Sequence, residues 1–156
     1  MTTVGIRAST KEWPMSAYAS TVVDASADEV WGYLRDFGNV AEWLPGIDRC
    51  EVEEGDGSRP GTVRRLEGLG GVFRERLLTL DDDSRSATYE ILEGPLPVSD
   101  YRAVYRVSPV TDSGRAFVEW SATFAADDVA KMNRVIVKGV FEPGLTALHG
   151  RFRPGT

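Results

Sequence analysis

The sequence predicts an α+β fold in which one long meander of strands is bracketed by helices. Three observations carry that prediction. The stretch "SADEVWGYLRDF" opens with helix-start chemistry, and "DDVAKMNRVIVKGVFEPGLTALHGRF" near the C-terminus returns to a helical period. Between them, from Ile47 to Ala125, short runs of branched and aromatic residues alternate with polar ones and are separated by turn clusters.

From the N-terminus, Met1 to Met15 shows no clear period and reads as an arm laid against the domain, and "SAYASTVVDA" reads as a first strand. In "SADEVWGYLRDF", Ser26 is the expected N-cap with Glu29 as its capping-box partner, and Val30, Tyr33, Leu34 and Phe37 form one stripe. "GNVAEWLPG" supports a second short helix, stopped by Pro45 and Gly46. Trp31 and Trp43 on these helices read as core.

The strand runs that follow are "IDRCEVEE", "TVRRLE", "VFRERLLTLD", "ATYEIL", "DYRAVYRVSP" and "RAFVEWSATFA". With the first run they suggest seven strands, and the short Gly-, Pro- and Asp-rich connections make neighbours antiparallel in a single curved meander. In the last segment Met132, Ile136, Val140 and Leu148 can share one helix face, and Pro143 is expected to kink the helix by removing a backbone N–H.

Alternation raises a specific question in "GVFRERLLTL". Arg74 and Arg76 fall on one face of the strand, while Phe73, Glu75 and Leu77 fall on the other, which places a carboxylate on the drier side. A buried carboxylate needs a reason, either a ligand or proton-transfer role or a salt bridge, for which Arg65, Arg74 and Arg102 are the candidates. Tyr101 and Tyr105 share a face with Ala103 and Val107, opposite Arg102 and Arg106, and so point inward. Tyr89 in "ATYEIL" reads the same way. For Glu119 the phase stays open, because Trp120 and Phe124 occupy the opposite face. Cys50 sits on a strand with no His partner and reads as a small core residue, with a ligand contact as the alternative.

A chain of 156 residues suits a single domain, here residues 1–156, and its 42% hydrophobic and 27% charged composition is that of a folded protein. Lys and Arg total 18 against 24 Asp and Glu, and the resulting charge of −6 opposes nucleic acid as a partner. The start "MTTVGIRASTKEW" lacks the apolar region of a signal peptide, no run is long enough to insert in a membrane, and a cytoplasmic location is the default expectation. The single cysteine excludes an internal disulfide, Asp81 to Asp83 read as a hairpin turn, and His149 reads as a helix cap. No metal and no cofactor are expected.

The order of elements, with "DASADEVWGYLRDFGNVAEWLPGI", "RERLLTLDDDSRSATYEIL" and "PLPVSDYRAVYRV", resembles the helix-grip fold of the START-like superfamily from Ala17 to about Leu148. That superfamily includes the birch-pollen-allergen type proteins, the plant abscisic acid receptors and the bacterial polyketide cyclase/dehydrase family. The resemblance implies a curved sheet gripping the long C-terminal helix around a deep, mostly apolar cavity. It also implies that the Glu of "ERL" and the Tyr of "DYRAV", Glu75 and Tyr101, point into the cavity, together with Glu119. The receptors' ligand-anchoring Lys falls near Asp48, a departure that leaves a carboxylate ligand needing another cation, such as Arg65. "EGLGG", which contains Leu69, lies where the receptors carry a flexible gate, and "GPLPVS" lies where they carry the latch.

These readings imply binding of a small hydrophobic molecule, aromatic or polyketide-like, against Leu77, Tyr89, Tyr105, Ile136 and Val140 as well as the polar candidates. In a cofactor-independent cyclase or dehydratase, Glu75 and Tyr101 would handle protons and Arg65 would hold an enolate or carboxylate oxygen. The alternatives are a non-catalytic carrier or sensor, and an accessory protein-interaction domain.

Overall fold

The computed structural model describes residues 17–153, so the expected arm over residues 1–15 lies outside the described residues. Strand β1 (Ala17–Val23) leads into helices α1 (Ala27–Leu34) and α2 (Val40–Trp43). Strands β2 (Ile47–Glu54), β3 (Val63–Gly68), β4 (Gly71–Asp81), β5 (Ser86–Glu93), β6 (Ser99–Pro109) and β7 (Ala116–Ala125) follow. The chain closes with α3 (Val129–Ile136), a π-helical turn (Val137–Phe141) and α4 (Glu142–Arg151).

The strands form one seven-stranded antiparallel sheet in the order β1-β7-β6-β5-β4-β3-β2. Strands β2 to β7 are thus the expected meander, and β1 pairs with β7 at its end. Register shifts between Arg74 and Glu75, Leu77 and Thr79, and Ser99 and Arg102 insert bulges. Bulges bend and twist a strand, which lets the sheet curl around the C-terminal helix.

Local chemistry accounts for the helices. The Ser26 hydroxyl accepts from the Glu29 backbone N–H at 3.1 Å, satisfying one donor of the first turn of α1. Asp128 caps α3 in the same way through Lys131 N–H at 3.0 Å. The disturbance expected at Pro143 takes the form of the π turn on its N-terminal side. Proline has no N–H, and its ring crowds the carbonyl four residues back, that of Gly139, which the widened turn contains.

The core lies between the concave face of the sheet and the C-terminal helix. Trp120 of β7 stacks on Phe141 with ring centroids 4.2 Å apart and planes inclined by 20°. Ile136, Leu145 and Leu148 are buried beside them. At one end α1 is tied to the β4–β5 turn, where Asp82 accepts from Trp31 Nε1 at 2.8 Å and from both Nε and Nη2 of Arg35. The Asp81 to Asp83 stretch is therefore a turn that anchors a helix.

Candidate functional site

The site grows from the β3–β4 hairpin. Its two-residue turn, Leu69-Gly70, has φ of 51° and 94°, the double positive φ of a type I′ turn, and Gly68 pairs with Gly71 across it. From that turn the register runs back through Leu66 opposite Phe73 to Arg64 opposite Glu75. Cross-strand partners share a face, so the face that buries Leu66 and Phe73 also takes Arg64 and Glu75 inward.

Both charged residues are buried, with 5% of Arg64 and 6% of Glu75 exposed. Arg64 donates to Glu75 Oε1 from Nε at 2.9 Å and from Nη2 at 2.6 Å, and from Nη1 to the Phe37 carbonyl at 3.0 Å. Its guanidinium carbon lies 3.7 Å from the Phe37 ring centroid and 5.0 Å from that of Tyr89, so aromatic faces replace much of its lost hydration. Burial is the largest single influence on Arg64 and works against its charge, but Glu75, Tyr89 and Tyr105 together outweigh it and the guanidinium is held more firmly charged than usual. Among the described residues the second carboxylate oxygen, Glu75 Oε2, accepts no hydrogen bond.

Tyr89, Tyr101 and Tyr105 surround this pair, with Tyr89 6.5 Å from Tyr101 and 6.1 Å from Tyr105 between ring centroids. The Tyr89 hydroxyl accepts from Trp120 Nε1 at 3.1 Å, and the Tyr105 hydroxyl donates to the Leu34 carbonyl at 3.3 Å. Burial raises all three phenols, Tyr105 to about 12 and Tyr101 well above its ordinary value, with Tyr89 and Glu75 adding to the effect at Tyr101. They stand as neutral hydroxyls near pH 7.

Two small cavities meet at Arg64, Tyr89 and Trp120, which line both. The one toward α1 and α2 holds about 20 Å³ and includes Asn39, Trp43 and Tyr105. The other holds about 40 Å³ and is bounded by Glu75, Tyr101, Ile136 and Val140. Leu69 from the β3–β4 turn and Leu96 from the β5–β6 loop also line it. The two segments approach at Gly71, where an added Cβ would lie 3.2 Å from Pro95. A cavity of 40 Å³ accommodates a water or two and no larger guest.

Of the residues singled out from sequence, Glu75, Tyr89, Tyr101, Tyr105, Leu69, Ile136 and Val140 line these cavities. Arg65 does not: it lies on the outer face paired with Glu67, because alternation on β3 turns Arg64 inward and its neighbour outward. Glu119 is also on the outer face, accepting from the Tyr18 hydroxyl at 2.9 Å, while Trp120 takes the inward position. Asp48 is exposed on β2. Cys50 is half-buried on β2 and lines neither cavity, and burial raises its thiol. Leu77 is fully buried core beneath the site and does not line the cavities. Sequence reasoning missed Arg64 and Trp120. The signal for Arg64 was present, since counting outward from the Leu69-Gly70 turn places it opposite Glu75.

Comparisons with known proteins agree with this architecture. Residues 14–153 match the family described as polyketide cyclase / dehydrase and lipid transport. The chain is 28% identical to abscisic acid receptor PYL2 of Arabidopsis thaliana over 111 residues, 67% of this chain and 58% of the receptor. It is 30% identical to abscisic acid receptor PYL6 of the same plant over 89 residues, 54% of this chain and 41% of that receptor. The match thus spans about half the length of these curated relatives. The solved structure of protein XoxI from Bacillus cereus superposes with a TM-score of 0.75 at 30% identity, covering 87% of this chain and 95% of that one. A Thermobifida fusca protein superposes with a TM-score of 0.79 at 30% identity, covering 88% and 93%. With an α+β helix-grip fold, a buried polar pair in an apolar interior and a family match over nearly its whole length, the chain belongs to the polyketide cyclase / dehydrase and lipid transport family.

Proposed function

We propose that this protein binds a small hydrophobic molecule, aromatic or polyketide-like, in the cavity between the sheet and the C-terminal helix, with its polar end against Arg64 and Glu75. The observation that carries the reading is the buried ion pair itself, which exposes an uncommitted carboxylate oxygen to an otherwise apolar, aromatic-lined space. A pair of this kind contributes little net stability compared with apolar residues, so a recognition role explains its presence better than a structural one. Family membership and the similarity to abscisic acid receptors support a hydrophobic ligand.

A guest of ten or more heavy atoms needs several hundred Å³. Admission therefore requires Leu69 and Leu96 to move outward, with the Gly68 to Gly71 turn acting as a gate against the β5–β6 loop. Native mass spectrometry of the purified protein tests the binding reading. Mass lost on denaturation, or gained on incubation with flat aromatic compounds, supports it; an unchanged mass in both experiments counts against it.

A second reading, a cofactor-independent cyclisation or dehydration, is favoured by one observation: Glu75 and the Tyr101 phenol line the same cavity. Glu75 Oε2 would accept a proton from a carbon next to a carbonyl, Arg64 would stabilise the resulting enolate oxygen in place of the expected Arg65, and Tyr101 would donate a hydrogen bond. Glu75→Gln separates the two readings, because a catalyst loses turnover with binding of a neutral substrate retained, whereas a carrier shows no turnover to lose.

A further inference from the structure

Charge balance in the cavity restricts what its guest can be. The ionisable groups lining the chamber beside the gate are Arg64, Glu75, Tyr89 and Tyr101. The two phenols are neutral, and Arg64 and Glu75 cancel at hydrogen-bonding distance. The adjoining chamber adds Tyr105, also neutral, and Asp36, whose carboxylate is exposed and turned to the Gly38 N–H at 2.9 Å. The interior is thus polar but carries no net charge to offset an ionic guest.

The hydrogen-bonding capacity left over is equally specific. Arg64 uses three of its five N–H groups on Glu75 and Phe37. Two donors remain, and Glu75 Oε2 remains as an acceptor. A carboxylate guest would satisfy the donors but set a second negative charge beside Glu75 in a water-poor space, where an uncompensated ion is strongly disfavoured. An ammonium guest meets the opposite difficulty at Arg64.

Resting on the reading that the ligand occupies this cavity, we infer that Arg64 and Glu75 select an uncharged ligand carrying an acceptor beside a donor, a hydroxyl next to a carbonyl, and discriminate against carboxylates. Enolised β-diketones and ortho-hydroxyaryl ketones have this pattern. Their carbonyl oxygen takes the free N–H groups of Arg64 while their hydroxyl donates to Glu75 Oε2. The Arg64–Glu75 pair then acts as a neutral two-pronged receptor, unlike a lone cation built to hold a carboxylate.

The test compares two probes on one ring system, an ortho-hydroxyacetonaphthone and the corresponding hydroxynaphthoic acid, by calorimetry near pH 7 in buffers of different ionisation enthalpy. The expected result is that the acid binds at least about tenfold more weakly than the ketone and takes up a proton when it does bind. Glu75→Gln leaves Arg64 with a free positive charge, so in that variant the preference inverts toward the acid and proton uptake disappears. The wild-type comparison decides the matter even if the variant is unstable. Tighter binding of the acid to wild type without proton uptake overturns the inference while leaving the cavity reading intact. Binding of neither probe removes the cavity reading and the inference with it.

Discussion

Arg64 grips a single oxygen of Glu75, with Nε at 2.9 Å and Nη2 at 2.6 Å both reaching Oε1. This side-on approach, with both donors converging on one oxygen, satisfies the charge of the pair yet leaves half of the carboxylate uncommitted. Removing one partner strands the other charge in the core, so Arg64→Met and Glu75→Leu are each expected to lower unfolding free energy by about 3 to 5 kcal/mol. The double variant Arg64→Met/Glu75→Leu should recover most of that loss, since an apolar pair of similar volume suits this interior. Urea denaturation of the four proteins measures the coupling, and additive single effects would count against a paired site.

The Trp120 indole N–H is buried, and its hydrogen-bond partner is the Tyr89 hydroxyl at 3.1 Å. Tyr89→Phe leaves that donor without a partner and removes one polar group from the wall between the two chambers. The expected cost is about 1 to 3 kcal/mol in denaturant unfolding, larger than a surface Tyr→Phe change would give. Trp120→Phe removes both the donor and its need, so the Tyr89→Phe penalty should shrink in that background.

All five tyrosines of the chain, Tyr18, Tyr33, Tyr89, Tyr101 and Tyr105, have phenols raised above their ordinary value, with burial the largest cause at each and Tyr33 and Tyr105 brought to about 12. A phenol that ionises later in the folded chain than in the unfolded one contributes stability that is complete below pH 10. That contribution falls as pH rises through the folded values, because the unfolded state releases its protons first. The inner phenols of Tyr89, Tyr101 and Tyr105 are therefore expected to stay protonated as pH rises past 10 and to ionise only as the protein unfolds, whereas the exposed Tyr18 can ionise ahead of them. A phenolate step near pH 10 that exceeds what Tyr18 and Tyr33 can supply, with the fold retained, would show that the inner three tyrosines are more open than the structure has them.

Much of this arrangement is legible in the sequence, and the parts that are not have physical causes. Ser26 and Glu29 mark the start of α1, and the alternation of Phe73, Glu75 and Leu77 correctly turns the carboxylate inward. Its partner was harder to see, because Val63 and Arg64 are both buried and break simple alternation at the start of β3. Only the turn register distinguishes Arg64 from Arg65. Glu119 went the other way: on β7, Val118, Trp120, Ala122 and Phe124 are inward in strict alternation, and a position carried over from relatives obscured that phase. The small volume of the cavity, about 40 Å³, had no sequence signal, since it is what side-chain packing among elements distant in the chain leaves over.

The β3–β4 turn offers a contrast between two glycines that differ in what surrounds them. Gly68 has φ of 144°, and a Cβ there would lie 2.0 Å from the Gly46 carbonyl oxygen and 2.8 Å from Ile47 Cα, both backbone atoms that cannot swing aside. Gly70 has φ of 94° with nothing within 4 Å of an added Cβ. Gly70→Ala therefore meets backbone strain alone, about 1 to 2 kcal/mol, whereas Gly68→Ala must also push β3 away from the α2–β2 connection and should cost more than about 3 kcal/mol. Between them, Leu69 holds a left-handed φ of 51° that a leucine rarely adopts, and its side chain lines the cavity, where the proposed reading makes it the closure. Leu69→Gly relieves that strain and removes the closure. Its thermal midpoint should lie near wild type while the dissociation rate of a bound aromatic guest rises at least about tenfold, since closure acts on residence time. Stopped-flow displacement reads that rate, and an unchanged rate in Leu69→Gly would show that the turn is a hairpin and not a gate.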